Sequence, residues 1–192
     1  IMLCGIGIVM VYSASSAISM ANHDTLFYYM KKQAIFFGLS LGIMFVAASF
    51  PFKAFQHLSY LILIAALALL VAVLIPSLNV EANGASRWLN LGGFTFQPAE
   101  FAKLALIIFL GYSLSKKQTM IKDFSVGFIP HALVFGLFAC LIIIQPDFGT
   151  IVVMGAITWG MMFTAGVRIR HLLSPAPLII PLVHFLVVKV DY

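Results

Sequence analysis

The feature that most constrains this chain is a succession of apolar runs, each about 17 to 20 residues long, separated by short polar segments. Runs of that length suit α-helices that cross roughly 30 Å of hydrocarbon, whereas a membrane β-barrel would show a weaker alternating pattern. Hydrophobic residues make up 62% of the 192 residues and charged residues only 9%, too few polar side chains to cover a water-soluble core. The predicted fold class is therefore an all-α polytopic membrane protein.

Seven spans are predicted within a single transmembrane domain that covers residues 1–192. Pro51 and Pro76 mark the ends of the second and third spans, because proline lacks the amide N–H that continues a helix. The connection 77–97 is predicted to be an extracytoplasmic loop. Since the sequence starts inside one apolar run and stops just after another, it is expected to be a fragment. The predicted spans are 1–18, 32–50, 58–75, 98–114, 128–145, 149–167 and 176–189.

Basic residues assign the connections between spans to two sides of the membrane. The loops after the second, fourth and sixth spans carry six basic residues against one acid, Asp123. Excess lysine and arginine marks the cytoplasmic side, so the connection 77–97 and the turn at Asp147 are predicted to face outward. The charges form no continuous stripe, so nucleic acid is not an expected partner. The six basic residues are Lys53, Lys116, Lys117, Lys122, Arg168 and Arg170.

Six residues on the predicted outer side are candidates for a substrate-binding site: Arg87, Trp88, Glu100, Lys103, Gln145 and Asp147. Arginine and lysine suit a phosphate-bearing ligand, arginine through a bidentate fork and lysine as a compact charge. The carboxylates could orient these cations or bind hydroxyl and amide groups, and the tryptophan offers a flat apolar face to a sugar ring or lipid. The set favours an amphiphilic, anionic substrate at the outer leaflet.

Structural roles compete with this interpretation at several positions. Glu100 and Lys103 lie three residues apart on one helix face, so they could simply form an ion pair. Lys103 is nevertheless on the unfavourable side of the helix dipole, at membrane depth, which favours a functional cavity. Asp147 follows Pro146 in a tight hairpin and could cap the next helix. Trp88 could anchor an interfacial segment. Both kinds of role stay open.

Four segments resemble the SEDS family (shape, elongation, division and sporulation) of bacterial cell-wall proteins. They are MVYSAS at 10–15, NGASRWL at 83–89, FQPAEFAKLAL at 96–106 and QPDFGT at 145–150. The resemblance covers nearly the whole sequence. Alanine stands at 99 where the family usually has serine, and phenylalanine at 148 where it often has leucine. Within the family, the segments look closer to the division-type and sporulation branches than to the elongation-type branch.

The resemblance implies the N-terminal seven-helix part of a ten-helix SEDS glycosyltransferase in the bacterial cytoplasmic membrane. Such enzymes polymerise lipid II, an undecaprenyl-pyrophosphate-linked disaccharide-peptide, into glycan strands at the outer face of that membrane. They work with a class B penicillin-binding protein and with other divisome or elongasome membrane proteins. Arg87, Trp88, Glu100 and Lys103 match family positions in or near the substrate cavity, and Asp147 matches its hairpin acid.

The family's catalytic aspartate lies in a later extracytoplasmic loop, beyond Tyr192. No catalytic residue is therefore assigned within this sequence, and the fragment is expected to be inactive by itself. The histidines have no metal-ligand spacing, so no metal site is predicted. The cofactor stays unknown: a divalent cation stays open, although the sequence shows no ligand motif for one.

Two other functions stay open beside the glycosyltransferase. A transporter could move lipid II between leaflets through the same cationic cavity, although the inverted repeats typical of transporters are not apparent. A non-catalytic scaffold could use the polar hairpins only to hold helices together and to recruit division partners.

Overall fold

The computed structural model describes residues 2–23, 26–75, 79–82, 85–91 and 94–175. Five helical segments in these ranges are long and apolar enough to cross a membrane, judged by length and composition. The all-α polytopic membrane class is thereby confirmed. The predicted last span, 176–189, lies outside the described residues. The helices are α1 (Met2–His23), α2 (Tyr28–Ser49), α3 (Phe52–Ala72), α4 (Pro98–Lys116), α5 (Ile129–Ile143), α6 (Phe148–Ala165) and α7 (Ile169–Leu173).

Contacts between residues divide the chain into two compact units, Ile1–Ala54 and Phe55–Tyr192. In the first unit, α1 packs against α2. The rings of Tyr12 and Phe27 stack there with their centroids 5.4 Å apart. No residue of α2 is buried, as suits an apolar helix whose sides face hydrocarbon.

The second unit contains the hydrophobic core, built from the facing sides of α3, α4, α5 and α6. Buried positions of α3 recur every three or four residues, which places them on one helix face. Those of α6 recur every four residues. The two stripes are Ser59, Leu63, Ala66 and Leu70 on α3, continued by Val73 just after the helix, and Thr150, Met154, Thr158 and Met162 on α6.

Two side-chain contacts show how α4 and α6 run relative to each other. At their N-terminal ends, the Gln97 amide nitrogen lies 3.3 Å from a carboxylate oxygen of Asp147. At their C-terminal ends, the Gln118 amide donates to the carbonyl oxygen of Ala165 at 3.3 Å. The two helices are therefore parallel neighbours, and α5 returns between their opposite ends. All residues discussed below as candidate site residues lie in this second unit.

A three-stranded antiparallel sheet lies within the connection between α3 and α4. It consists of β1 (Asn79–Ala82), β2 (Ala85–Leu91) and β3 (Phe94–Phe96), with β2 in the centre. Leu89 of β2 is buried and pairs with Asn79 on one side and Phe96 on the other. Only a loop was predicted at 77–97, because β1 and β3 have four and three residues, and the sequence of β2, ASRWLNL, does not alternate strictly between apolar and polar residues.

Histidine 131 forms a buried polar link between α4 and α5. Its Nδ1 lies 2.8 Å from the carbonyl oxygen of Gly127, and its Nε2 lies 3.0 Å from Oγ of Ser113. Because a carbonyl can only accept, Nδ1 carries the proton, and in the neutral ring Nε2 accepts from the serine hydroxyl. Both ring nitrogens therefore have partners in the apolar interior.

Gly127 lies in a single π-helical turn, Phe124–Phe128, that leads into α5. A Cβ atom at this position would lie 2.0 Å from the carbonyl oxygen of Ile121, well inside van der Waals contact. The sharp approach of the backbone here therefore requires glycine.

At the end of α6, Gly166 adopts φ 95° and stops the helix. The chain then enters α7, where His171 is only 9% exposed and its ring meets Phe124 edge-on, with centroids 5.1 Å apart. Burial, followed by the positive charges of Arg170 and Arg168, holds the pKa of His171 below its ordinary value of 6.5, against an opposing effect of Asp123.

Gly127→Ala is expected to lower the free energy of unfolding by about 1 to 3 kcal/mol, since the added methyl group must displace backbone atoms. Thermal unfolding of the purified protein in detergent measures this. Gly136→Ala is the matched control, because a Cβ there meets nothing within 4 Å. Equal unfolding temperatures for the two variants would contradict the steric explanation.

The pKa of His171 predicts a pH-dependent stability. Because this pKa is lower in the folded state, the unfolded chain takes up the proton first as the pH falls. The His171 contribution is thus fully present above about pH 6.5 and is lost as the pH falls through the folded-state pKa. Unfolding midpoints measured across this range should lose that slope in His171→Gln and keep it in His57→Gln, an exposed control.

Candidate functional site

Arg87 of β2 joins the sheet to the turn between α5 and α6. Its Nε donates to the carbonyl oxygen of Gln145 at 3.1 Å, and a terminal guanidinium nitrogen donates to the carbonyl oxygen of Pro146. Carbonyl groups that follow the end of a helix have no donor within that helix. The guanidinium therefore supplies donors that the turn itself lacks.

Asp147 caps the N-terminus of α6. One carboxylate oxygen, Oδ1, accepts from the backbone N–H of Thr150 at 3.3 Å. The other, Oδ2, accepts from the Thr150 hydroxyl at 2.7 Å and from the Gln97 amide at 3.3 Å. The capping role that the sequence left open is thus observed, and both oxygens of this buried carboxylate have donors within the chain.

The side chain of Gln145 satisfies the last turn of α3. Its Nε2 donates to the carbonyl oxygen of Leu70 at 3.3 Å, a group that receives no backbone N–H because Leu74 donates to Val71 instead. Asn79 of β1 supplies a second side-chain donor, to the carbonyl of the residue after α3, Val73, at 3.3 Å. Gln145 is 2% exposed, and its Oε1 accepts no hydrogen bond from the described residues.

Glu100 and Lys103 form an ion pair in the first turns of α4. The ammonium Nζ lies 2.7 Å from Oε1, and the Lys103 and Glu100 side chains are 23% and 58% exposed. Within the described residues, neither charged group forms a hydrogen bond to the backbone. Because an ammonium group has three N–H donors and Glu100 takes one, Lys103 retains donors for a ligand.

Gln97 connects Asp147 to the Glu100–Lys103 pair. It was not among the predicted site residues. Its side chain donates to Asp147, while its carbonyl oxygen accepts the backbone N–H of Glu100 at 3.1 Å. A sequence signal was present, since Gln97-Pro98 and Gln145-Pro146 are both Gln-Pro pairs that stand one or two residues before an acid.

Trp88 is the predicted site residue that lies apart from the others. Within the described residues, Trp88 makes no hydrogen bond or ring contact with the other five candidates, although it follows Arg87 on β2 where the pairing with β1 shifts register. The structure thus gathers five of the six predicted residues into one network. We call the backbone-bonded part, Arg87, Gln97, Gln145 and Asp147, the capping layer.

The chemistry open to the cluster depends on the donors that its cations retain. Groups of three or more histidine, cysteine, aspartate or glutamate residues suited to a metal are absent from the part of the chain that the structure describes. Arg87 uses two of its nitrogens on the turn, so Lys103 is the cation best placed to meet a phosphate oxygen.

The fold and the site define this protein as a polytopic helical membrane protein with an ion pair at the start of α4, beside the capping layer. Residues 1–192 match the cell cycle protein family of FtsW, RodA and SpoVE, and the chain belongs to this family. The predicted resemblance is confirmed.

Two curated relatives show the range of the similarity. The probable peptidoglycan glycosyltransferase FtsW of Geobacter sulfurreducens is 39% identical over 186 residues, which cover 97% of this chain and 50% of the relative. Stage V sporulation protein E of Bacillus subtilis is 40% identical over 172 residues, covering 89% of this chain and 47% of the relative. The chain therefore spans about half the length of the curated relatives that it matches.

Solved structures share the fold. A chain from a study of how a peptidoglycan synthase complex coordinates polymerization and crosslinking has a TM-score of 0.67 and 28% identity, with 92% of this chain and 52% of that chain covered. The rod shape determining protein RodA of Thermus thermophilus has a TM-score of 0.63 and 28% identity, with 87% of this chain and 55% of RodA covered.

Removing the Arg87 side chain should destabilise the protein more than removing that of Lys103. Arg87→Ala leaves two carbonyl groups of the turn without their charged donor, which should lower the free energy of unfolding by about 2 kcal/mol. Lys103→Ala breaks a partly exposed ion pair and should cost about 0 to 1 kcal/mol. Denaturation of the purified variants tests the order, and an Arg87→Ala protein as stable as wild type would contradict the capping role.

Proposed function

We propose that the full-length protein is a peptidoglycan glycosyltransferase that polymerises lipid II at the outer face of the bacterial cytoplasmic membrane. The observation that carries the proposal is the Glu100–Lys103 pair, accessible at the start of α4 and mounted beside the capping layer. The name of the similar FtsW supports the reaction. The excess of lysine and arginine in the loops at the other end of the spans supports the outward orientation.

In this proposal, Lys103 binds the pyrophosphate of lipid II. Breaking the bond between the sugar and the pyrophosphate builds negative charge on the leaving group, and a fixed ammonium group stabilises that charge as it develops. Glu100 holds the ammonium in place and offers its more exposed carboxylate oxygens to hydroxyl or amide groups of the substrate.

Asp147 does not act as the general base in this proposal. A general base must reach the proton of the acceptor hydroxyl, but both Asp147 oxygens already accept hydrogen bonds from Thr150 and Gln97. Arg87, Gln145 and Asp147 instead join the α5–α6 turn to β2, to α3 and to the start of α4, respectively. Trp88 takes no part in these hydrogen bonds and is assigned to lipid or to a neighbouring segment.

The proposed partner is a class B penicillin-binding protein that cross-links the strands. Its support is the similarity to a chain from a complex that couples polymerization to crosslinking. Septal synthesis in division is the favoured setting, because identity to the FtsW and sporulation relatives is 39% and 40%, against 28% to RodA.

Lys103→Ala is expected to reduce lipid II polymerisation by at least about 100-fold, the effect typical of losing one transition-state donor. Gel analysis of glycan strands made by the full-length protein with its penicillin-binding partner measures this. Lys32→Ala, which removes an exposed lysine from α2 in the first unit, is the matched control and should polymerise normally.

The outcomes separate the three candidate functions. If Lys103→Ala makes normal glycan strands, the ion pair has no role in polymerisation. Absence of strands from wild type, together with lipid II transfer across liposomes, would favour the transporter. Absence of both activities with intact binding of the partner would favour the scaffold.

A further inference from the structure

The C-terminal ends of α4 and α6 carry a concentration of positive charge. Four basic side chains there are exposed and one, Lys117, is half-buried, while Asp123 is the one acid in the same segments. The ion pair found within the described residues is Glu100–Lys103, so none of these five cations has a carboxylate partner there. The five are Lys116, Lys117, Lys122, Arg168 and Arg170.

Apolar side chains are exposed among these cations. Ile169 and Leu173 of α7 are 60% and 62% exposed, and their spacing of four residues puts them on one side of the short helix. Arg168 and Arg170 flank Ile169, whereas His171 and Leu172 turn inward. An apolar stripe bordered by cations is typical of a segment that lies in a membrane interface.

Two aromatic residues lie near this end of the bundle. Nζ of Lys116 lies 3.5 Å from the hydroxyl of Tyr112 and 5.6 Å from the centre of its ring. The indole N–H of Trp159 donates to the carbonyl oxygen of Leu172 at 2.9 Å. Tyrosine and tryptophan concentrate at membrane interfaces, where lysine side chains extend toward the headgroups.

We propose that this end is a binding surface for the headgroups of anionic phospholipids. The basic surface consists of Lys116, Lys117, Lys122, Arg168 and Arg170, together with Ile169 and Leu173. The arginine forks and lysine ammonium groups bind headgroup phosphates, and the apolar pair enters the region where the acyl chains begin. This surface goes beyond the proposed function, because it lies at the end of α4 opposite the Glu100–Lys103 pair.

Binding has a structural consequence that can be measured. Gln118 already joins the connection after α4 to the last turn of α6. A lipid phosphate held between Lys122 and Arg168 would join the same two segments, so anionic lipid should raise the unfolding temperature. A zwitterionic lipid, which offers no net negative charge, should raise it less.

The test is binding of phosphatidylglycerol and phosphatidylcholine to the full-length protein in detergent, by native mass spectrometry and thermal unfolding. Wild type should prefer phosphatidylglycerol. Arg168→Gln/Arg170→Gln should lose up to about 30-fold of that preference at low ionic strength, the change expected for two cations near a headgroup surface. Lys31→Gln/Lys32→Gln removes the same charge from exposed positions of α2 and should keep the preference.

Further variants keep the proposal falsifiable if the double substitution disturbs folding. Lys122→Gln alone should weaken the preference several-fold, and Arg168→Lys/Arg170→Lys, which preserves both charges, should retain most of it. Ile169→Ser/Leu173→Ser should weaken binding of both lipids. Added salt should reduce the preference, because it screens exposed charges.

Four results would overturn the proposal. They are equal affinity of wild type for the two lipids, equal loss in the α2 control, unchanged preference in both Arg168→Gln/Arg170→Gln and Lys122→Gln, and displacement of the lipid by inorganic phosphate at comparable concentration. Equal affinity for the two lipids would indicate that the cations bind an acidic protein partner instead. Displacement by inorganic phosphate would indicate a site for free anions. Success or failure here is independent of lipid II polymerisation, which Lys103 variants report.

Discussion

Backbone polar groups at the ends of helices must find partners, because hydrocarbon offers none. Three helix ends meet beneath the sheet: the C-terminus of α3, the turn after α5 and the N-terminus of α6. Side chains from other elements satisfy them, with Gln145 bonded to Leu70, Arg87 bonded to the turn and Asp147 bonded to Thr150. The primary role of the capping layer is therefore to satisfy these backbone groups. The accessible ion pair adjoins this layer through Gln97.

The polar residues of the site look alike in the sequence but have different roles in the structure. Each stands on the predicted outer side, and nothing in composition separates them. The structure does so through exposure: Gln145 and Asp147 are buried and bonded within the chain, whereas Glu100 is 58% exposed. A charge at membrane depth thus indicates that a partner exists without saying whether the partner is a carbonyl group or a substrate.

Local signals in the sequence predicted the features that depend on neighbouring residues. The apolar runs gave the helical class, Pro98 suited the first turn of α4, and the Glu100–Lys103 spacing and the Asp147 cap were both recognised as structural options. The contacts missed were those between distant segments, since Arg87 and Gln145 lie 58 residues apart. No local pattern encodes such a pair, and β2, which carries Arg87, lacks the strict alternation of apolar and polar residues that predicts a strand.

The parallel arrangement of α4 and α6 places two helix N-termini at the end of the bundle that carries the ion pair. The peptide dipoles of both helices point their positive ends toward the ion pair and their negative ends toward Lys116 and Arg168, whereas α3 and α5 run the other way and end at the capping layer. Because a helix dipole acts mainly within its first and last turns, the backbone favours an anion where α4 and α6 begin and cations where they end. The path of the chain thus determines, before any ligand or lipid binds, which sign of charge each of these helix ends favours.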